Sequence, residues 1–164
     1  MQNFQLIAVC LCIATIAYFY GRARIVKQAN IAQSRPNSLP VFYGLFPALL
    51  GLIIPVIIIA IWLLSESIIM DMMLLNALPD TLTLSEEFSA SVALAQIYNL
   101  ADGISVGEVE GWVKQGAAQF IAWKSSSNMM MSMAAIASSL LCSLYGIRLI
   151  GLNFRARNAV ERII

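Results

Sequence analysis

The chain has 164 residues, of which 60% are apolar and only 12% charged, and its formal net charge is +1. A soluble domain runs about 45–50% apolar and about 25% charged, so the composition excludes that class. The small net charge removes a bulk electrostatic case for nucleic acid, and a chain without histidine lacks the commonest general base and metal ligand.

The first apolar run, Phe4 to Tyr20, sits at the short end for a spanning helix. Met1-Gln2-Asn3 carries no positive side chain, so the run reads as an uncleaved span and not as a signal peptide. Tyr18, Phe19 and Tyr20 form an interfacial aromatic patch just before the anchor Gly21-Arg22-Ala23-Arg24. Residues 1–20 are therefore assigned to the first transmembrane helix and 21–40 to a basic cytoplasmic loop. The second span, 41–64, is long enough to cross even when tilted. It contains Pro47 and Pro55. Each removes a backbone donor, and in lipid the freed carbonyl needs another partner. The prolines read as structural kinks more readily than as a transport path.

Residues 65–128 carry eight acids, Glu66, Asp71, Asp80, Glu86, Glu87, Asp102, Glu108 and Glu110, against Lys114 and Lys124. The segment reads as helical. Ser65 to Leu78 continues the second span and is ended by Pro79-Asp80. Thr83-Leu84-Ser85-Glu86 is a capping-box pattern, with Glu86 and Glu87 suited to a first turn. The helix that follows is expected to run to about Ala101, with Phe88, Val92, Ala95 and Tyr98 at helical spacing and Asp102-Gly103 as its stop. A further helix from about Val106 to Trp123 is weakened by Gly107, Gly111 and Gly116. Gly103, Gly107 and Gly111 stand four apart like a packing face. Glu108 and Glu110 interleave them, which favours a loop or a surface helix. The apolar faces look too small for an independent domain, so the segment is expected to lie against the membrane or a partner.

The third span is 129–152, with 153–164 as a basic tail. Arg148 lies about one turn from its end, close enough for the guanidinium to snorkel. Met129, Met130, Met131 and Met133 could suit Cu(I), but with no Cys or His beside them they read as apolar filler at a helix start. Cys10, Cys12 and Cys142 all lie inside apolar runs, which suggests no disulfide framework. No Walker pattern, paired-cysteine metal site or nucleophile–base pair occurs, so no residue is assigned a catalytic, cofactor-binding, metal or substrate-binding role, and the chain is not expected to be an enzyme.

No Lys or Arg occurs between Arg35 and Lys114, while Arg22, Arg24, Lys27 and Arg35 precede the gap and Arg155, Arg157 and Arg162 follow the last span. Cytoplasmic loops are enriched in Lys and Arg. The predicted architecture is an all-α integral membrane protein with three transmembrane helices. Its N-terminus is outside, its C-terminus is inside, and a helical extracytoplasmic segment separates spans two and three.

Three stretches together resemble the N-terminal extension of the PstC-type permease subunit of bacterial phosphate ABC transporters. They are FYGRAR (Phe19 to Arg24), SLPVFYGLFPA (Ser38 to Ala48) and FRARNAVERII (Phe154 to Ile164). The order of elements matches as well, including an outside helix like LSEEFSASVALAQIYNLADGI (Leu84 to Ile104). The resemblance implies the inner membrane and a permease core beside a sister permease subunit. It also implies a periplasmic phosphate-binding protein and, indirectly, cytoplasmic ATPases. No hydrophobic segment follows Ile164, so the chain is expected to be the front piece of a permease, truncated or separately encoded, whose tail leads toward an absent core. It would support assembly or docking without forming the translocation path. The acid-rich outside segment would repel phosphate, and no substrate-handling residue is carried over. The other reading is an independent small membrane scaffold or sensor whose outside segment binds a partner.

Overall fold

A computed structural model describes residues 2–77, 90–104 and 110–163. The capping-box pattern, Phe88 and the Val106-Gly107-Glu108 stretch lie outside these. Among the described residues the regular elements are all helices: α1 (Gln2–Ala32), α2 (Pro40–Asn76), α3 (Ala90–Ala101), α4 (Gly111–Leu149) and α5 (Ala156–Ile163). Three of them, α1, α2 and α4, are long and apolar enough to cross a membrane. At about 1.5 Å per residue, the 37 residues of α2 and the 39 of α4 exceed the roughly 30 Å of a bilayer core. Large apolar side chains such as Phe4, Ile16, Leu64 and Leu141 stand exposed along them, as expected of helices that face lipid.

The element boundaries differ from the sequence expectation in two places. Residues 21–32, expected in a loop, continue α1 as helix. They hold good helix formers and no proline, so nothing in that stretch stops the helix. α1 closes instead at Gln33, which adopts a left-handed φ of 49° while the Ser34 N–H donates to Ala29 O. In the second place, the weak outside helix and the third span are one helix, α4. Gly116 does not break it, and the methionine run lies in its middle, with Met131 buried and Met129, Met130 and Met133 exposed.

The chain divides into two compact units, residues 1–60 with 131–164, and residues 61–130. The first holds α1, most of the apolar part of α2, the second half of α4, and α5. Beside Tyr43 and Phe46, α2 buries Gly44, Pro47, Gly51, Pro55 and Ile59, a recurrence every three or four residues. The glycines and prolines among these are small or compact, so neighbouring backbones come close. A Cβ added to Gly44 would lie 2.7 Å from Tyr18 O, and one added to Gly146 would lie 2.8 Å from the Pro47 Cα.

The second unit packs α3 against the end of α2 and the start of α4. Its core is Met70, Leu74, Ala93, Ile97, Val113, Ala117 and Phe120. The core side of α3 is thus Ala93 and Ile97, whereas Val92 is exposed and Ala95 points to solvent. The chain's own helices cover one side of α3, while Ile69, Val92 and Ile121 of this unit stand exposed. Gly116 serves this packing, because Ile97 Cδ1 occupies the space its Cβ would fill, 2.8 Å away. α3 stops at Asp102-Gly103, where the sequence places its end. Gly103 takes φ 81°, Ile104 N–H donates to Asn99 O at 2.8 Å and Gly103 N–H to Leu100 O at 3.1 Å. This is the Schellman pattern that a C-terminal glycine permits.

Candidate functional site

The three stretches quoted above, far apart in sequence, meet in the first unit. Tyr43, from the second stretch, is fully buried with Ile25, Ile150 and Ala156. Its hydroxyl donates to Phe154 O at 2.7 Å, the first residue of the third stretch. The Phe154 ring packs 5.0 Å from that of Phe46 and 6.3 Å from that of Tyr43. Arg157 N–H reaches Ser38 Oγ at 3.4 Å. Gly21, from the first stretch, lies so close to this group that a Cβ would stand 2.7 Å from Tyr43 O and 3.1 Å from both Pro47 Cγ and Ile150 Cδ1. α5 lies down on the junction through Ala156 and Val160, one turn apart and both buried.

The prolines of α2 explain two of these contacts. Pro47 and Pro55 cannot donate to the carbonyls four residues earlier, which are those of Tyr43 and Gly51. Gly51 O instead accepts from the hydroxyl of Ser139 on α4 at 2.7 Å, and Ser139 is fully buried. Tyr43 O is the carbonyl that faces Gly21, where the missing side chain allows backbone-to-backbone approach. Ser143, also buried, places its Oγ beside Gly51 with no partner among the described residues. The prolines therefore mark joints between helices.

Charge is divided between the units. Arg22, Arg24, Lys27, Arg35, Arg148, Arg155, Arg157 and Arg162 all belong to the first, with Glu161 as its one acid. Arg148 sits exposed in the last turn of α4, where a cation suits the helix dipole. The remaining acids belong to the second unit. There the Tyr98 hydroxyl donates to Asp71, and its ring meets Phe120 edge-on at 4.8 Å. Burial, and then the neighbouring Asp71 carboxylate, push the Tyr98 phenol well above the ordinary tyrosine range. Lys124 lies over the other partner of this pair, 5.3 Å from the Phe120 ring. Glu110 caps α4, its carbonyl accepting from Val113 and Lys114 and its carboxylate from Trp112. A cavity of about 110 Å³ between Leu74, Ile97, Trp112 and Gln119 is small and mostly walled by this core. Cys10, Cys12 and Cys142 are free thiols, and no cluster of His, Cys, Asp or Glu suited to a metal occurs among the described residues.

Sequence reasoning missed the Gly44–Pro47–Gly51–Pro55 face and the serines that serve it. The periodicity of small residues on α2 is a legible signal, because positions 44, 47, 51 and 55 follow helical spacing.

Helices of this length and composition, joined through glycine and proline faces, define an integral membrane protein of the all-α class. Residues 7–164 match the profile of a family described as phosphate ATP-binding cassette transporter, and the chain belongs to that family. No curated protein and no solved structure is significantly similar to the chain.

Proposed function

We propose that this chain is an accessory N-terminal membrane domain of a phosphate ABC transporter permease. It packs beside the permease core and supports assembly or docking, and it neither transports phosphate alone nor catalyses a reaction. The observation that carries this reading is the family match over residues 7–164. The convergence of the three family-like stretches on one buried junction supports it, because a domain of this kind needs a rigid unit to present to a neighbour. In this reading the first unit's basic end faces the cytoplasm of a bacterial inner membrane, in keeping with the cytoplasmic enrichment of Lys and Arg. The acid-rich segment 65–128 is periplasmic. It repels phosphate and offers its surface to a sister permease subunit or a periplasmic phosphate-binding protein, while contact with the ATPases is indirect.

Two experiments test it. Reporter fusions after Arg24, within Leu84 to Ile104, and after Arg157 should read inside, outside and inside, and an inside signal from the middle fusion would overturn the orientation. The tagged chain, expressed with every subunit of a phosphate transporter, should co-purify with the permease subunits. A chain that emerges alone would sink the accessory role.

A further inference from the structure

The concentration of cations in the first unit serves no packing need. Helix α5 and the segment around Ser38 fold against the end of α1, so Arg22, Arg24, Lys27, Arg35, Arg155, Arg157 and Arg162 gather at one end of this unit. Glu161 pairs with Arg157 at 2.7 Å, and among the described residues the other cations have no ion pair. No acid precedes Glu66 in the chain, so none is available along α1. All but Arg24 are exposed.

The surface of α1 at this end is apolar as well as charged. On one open face Arg22, Lys27 and Asn30 alternate with Phe19, Val26 and Ile31. The apolar members stand open, with Phe19 62% and Ile31 74% exposed. At the helical rise this face is about 18 Å long. It begins at the aromatic patch that ends the first apolar run, which sets Arg22 and Lys27 at headgroup depth. A free aqueous anion would satisfy the two cations and leave Phe19 and Val26 in water. A phospholipid covers both kinds of surface, and one with net negative charge complements the positive charge of the whole end.

We infer that the face of α1 from Phe19 to Ile31 binds an anionic phospholipid, its phosphate held between Arg22 and Lys27 beside Val26 and its glycerol and upper acyl chain laid along Phe19 toward the apolar run. The site does not depend on the transporter assignment.

The test uses the full chain in nanodiscs of equal phosphatidylglycerol and phosphatidylethanolamine, followed by extraction into mild detergent and native mass spectrometry of the retained lipid. The expected result is a phosphatidylglycerol preference of about 5- to 30-fold, the range set by one or two cations at an anionic surface. R22Q/K27Q should bring the ratio close to one. Ala23→Trp should do the same by covering the face between Arg22 and Lys27, and it keeps every charge that governs insertion. Lys114→Gln, in the other unit, should keep the preference. A wild-type ratio near one overturns the assignment, as does a preference that survives in either variant of this face. Displacement of the lipid by millimolar inorganic phosphate would overturn it in favour of an aqueous anion site.

Discussion

Removing the two hydroxyls beside Gly51 gives the sharpest test of the proline joints. Pro55 leaves Gly51 O without its helical donor, and Ser139 supplies one from α4 at 2.7 Å. Ser143 Oγ lies against the same glycine without a partner, so it could turn to replace Ser139. The informative perturbation is therefore S139A/S143A. A buried carbonyl left unpaired costs about 1–3 kcal/mol, while interhelical hydrogen bonds in membrane proteins average about 0.6 and reach about 1.7 kcal/mol. The expected loss is thus about 1–2 kcal/mol, or about 5- to 30-fold in the ratio of folded to unfolded chain. Pro55→Ala returns an N–H to residue 55 and lets Gly51 O regain its helical bond. In that background the serine substitutions should cost about 0.5 kcal/mol or less, leaving a coupling near 1 kcal/mol. Reversible unfolding in mixed detergent micelles, followed by tryptophan fluorescence and circular dichroism, gives all four corners of the cycle. Equal costs with and without Pro55, to within about 0.3 kcal/mol, would refute the claim that Ser139 serves the carbonyl the proline sets free.

Gly21→Ala should destabilise the first unit by about 1–3 kcal/mol, because its Cβ would meet the backbone oxygen of Tyr43 at 2.7 Å. Gly111→Ala, which meets nothing within 4 Å, should leave the melting temperature unchanged or raise it in the same thermal scan. Gln33→Gly should stabilise the chain by about 1 kcal/mol, since residue 33 holds a left-handed φ of 49° that glycine adopts without strain; an unchanged midpoint would count against strain there. In an absorbance titration the Tyr98 phenol should ionise above the ordinary tyrosine range, and that step should vanish in Tyr98→Phe. Because folding raises this pKa, its contribution to stability is fully present below the ordinary tyrosine range, near pH 10, and is lost as pH climbs above it. A wild-type stability that falls no faster than that of Tyr98→Phe above pH 10 would contradict the placement of Tyr98 against Asp71.

Much of the fold is legible because lipid leaves few options for the backbone. The three apolar stretches, the Gly103 stop and the need for partners at Pro47 and Pro55 all follow from local chemistry. The partners themselves do not. Ser139 is 88 residues from Gly51, and no local rule links them. The buried face of α3 is not legible for a related reason. Val92 and Ala93 are adjacent, both fit an apolar stripe, and tertiary contact with Leu74 and Val113 selects Ala93. The end of α1 is not legible because basic residues that suit a loop by topology are also good helix formers. The basic face of α1 is half legible, since its charges stand out in the sequence while their alignment with Phe19, Val26 and Ile31 depends on α1 staying helical past Gly21.

The Gly44–Pro47–Gly51–Pro55 face gives this chain an unusual mutational asymmetry. An interface built from leucines can be damaged by trimming, which opens a cavity, or by enlarging, which forces a clash. At Gly44 and Gly51 nothing remains to trim, so most changes there add atoms to a place where backbones already touch. Variation along this seam should run in one direction only, and compensation for a change at Gly44 or Gly51 would have to come from smaller residues on α1 or α4 opposite.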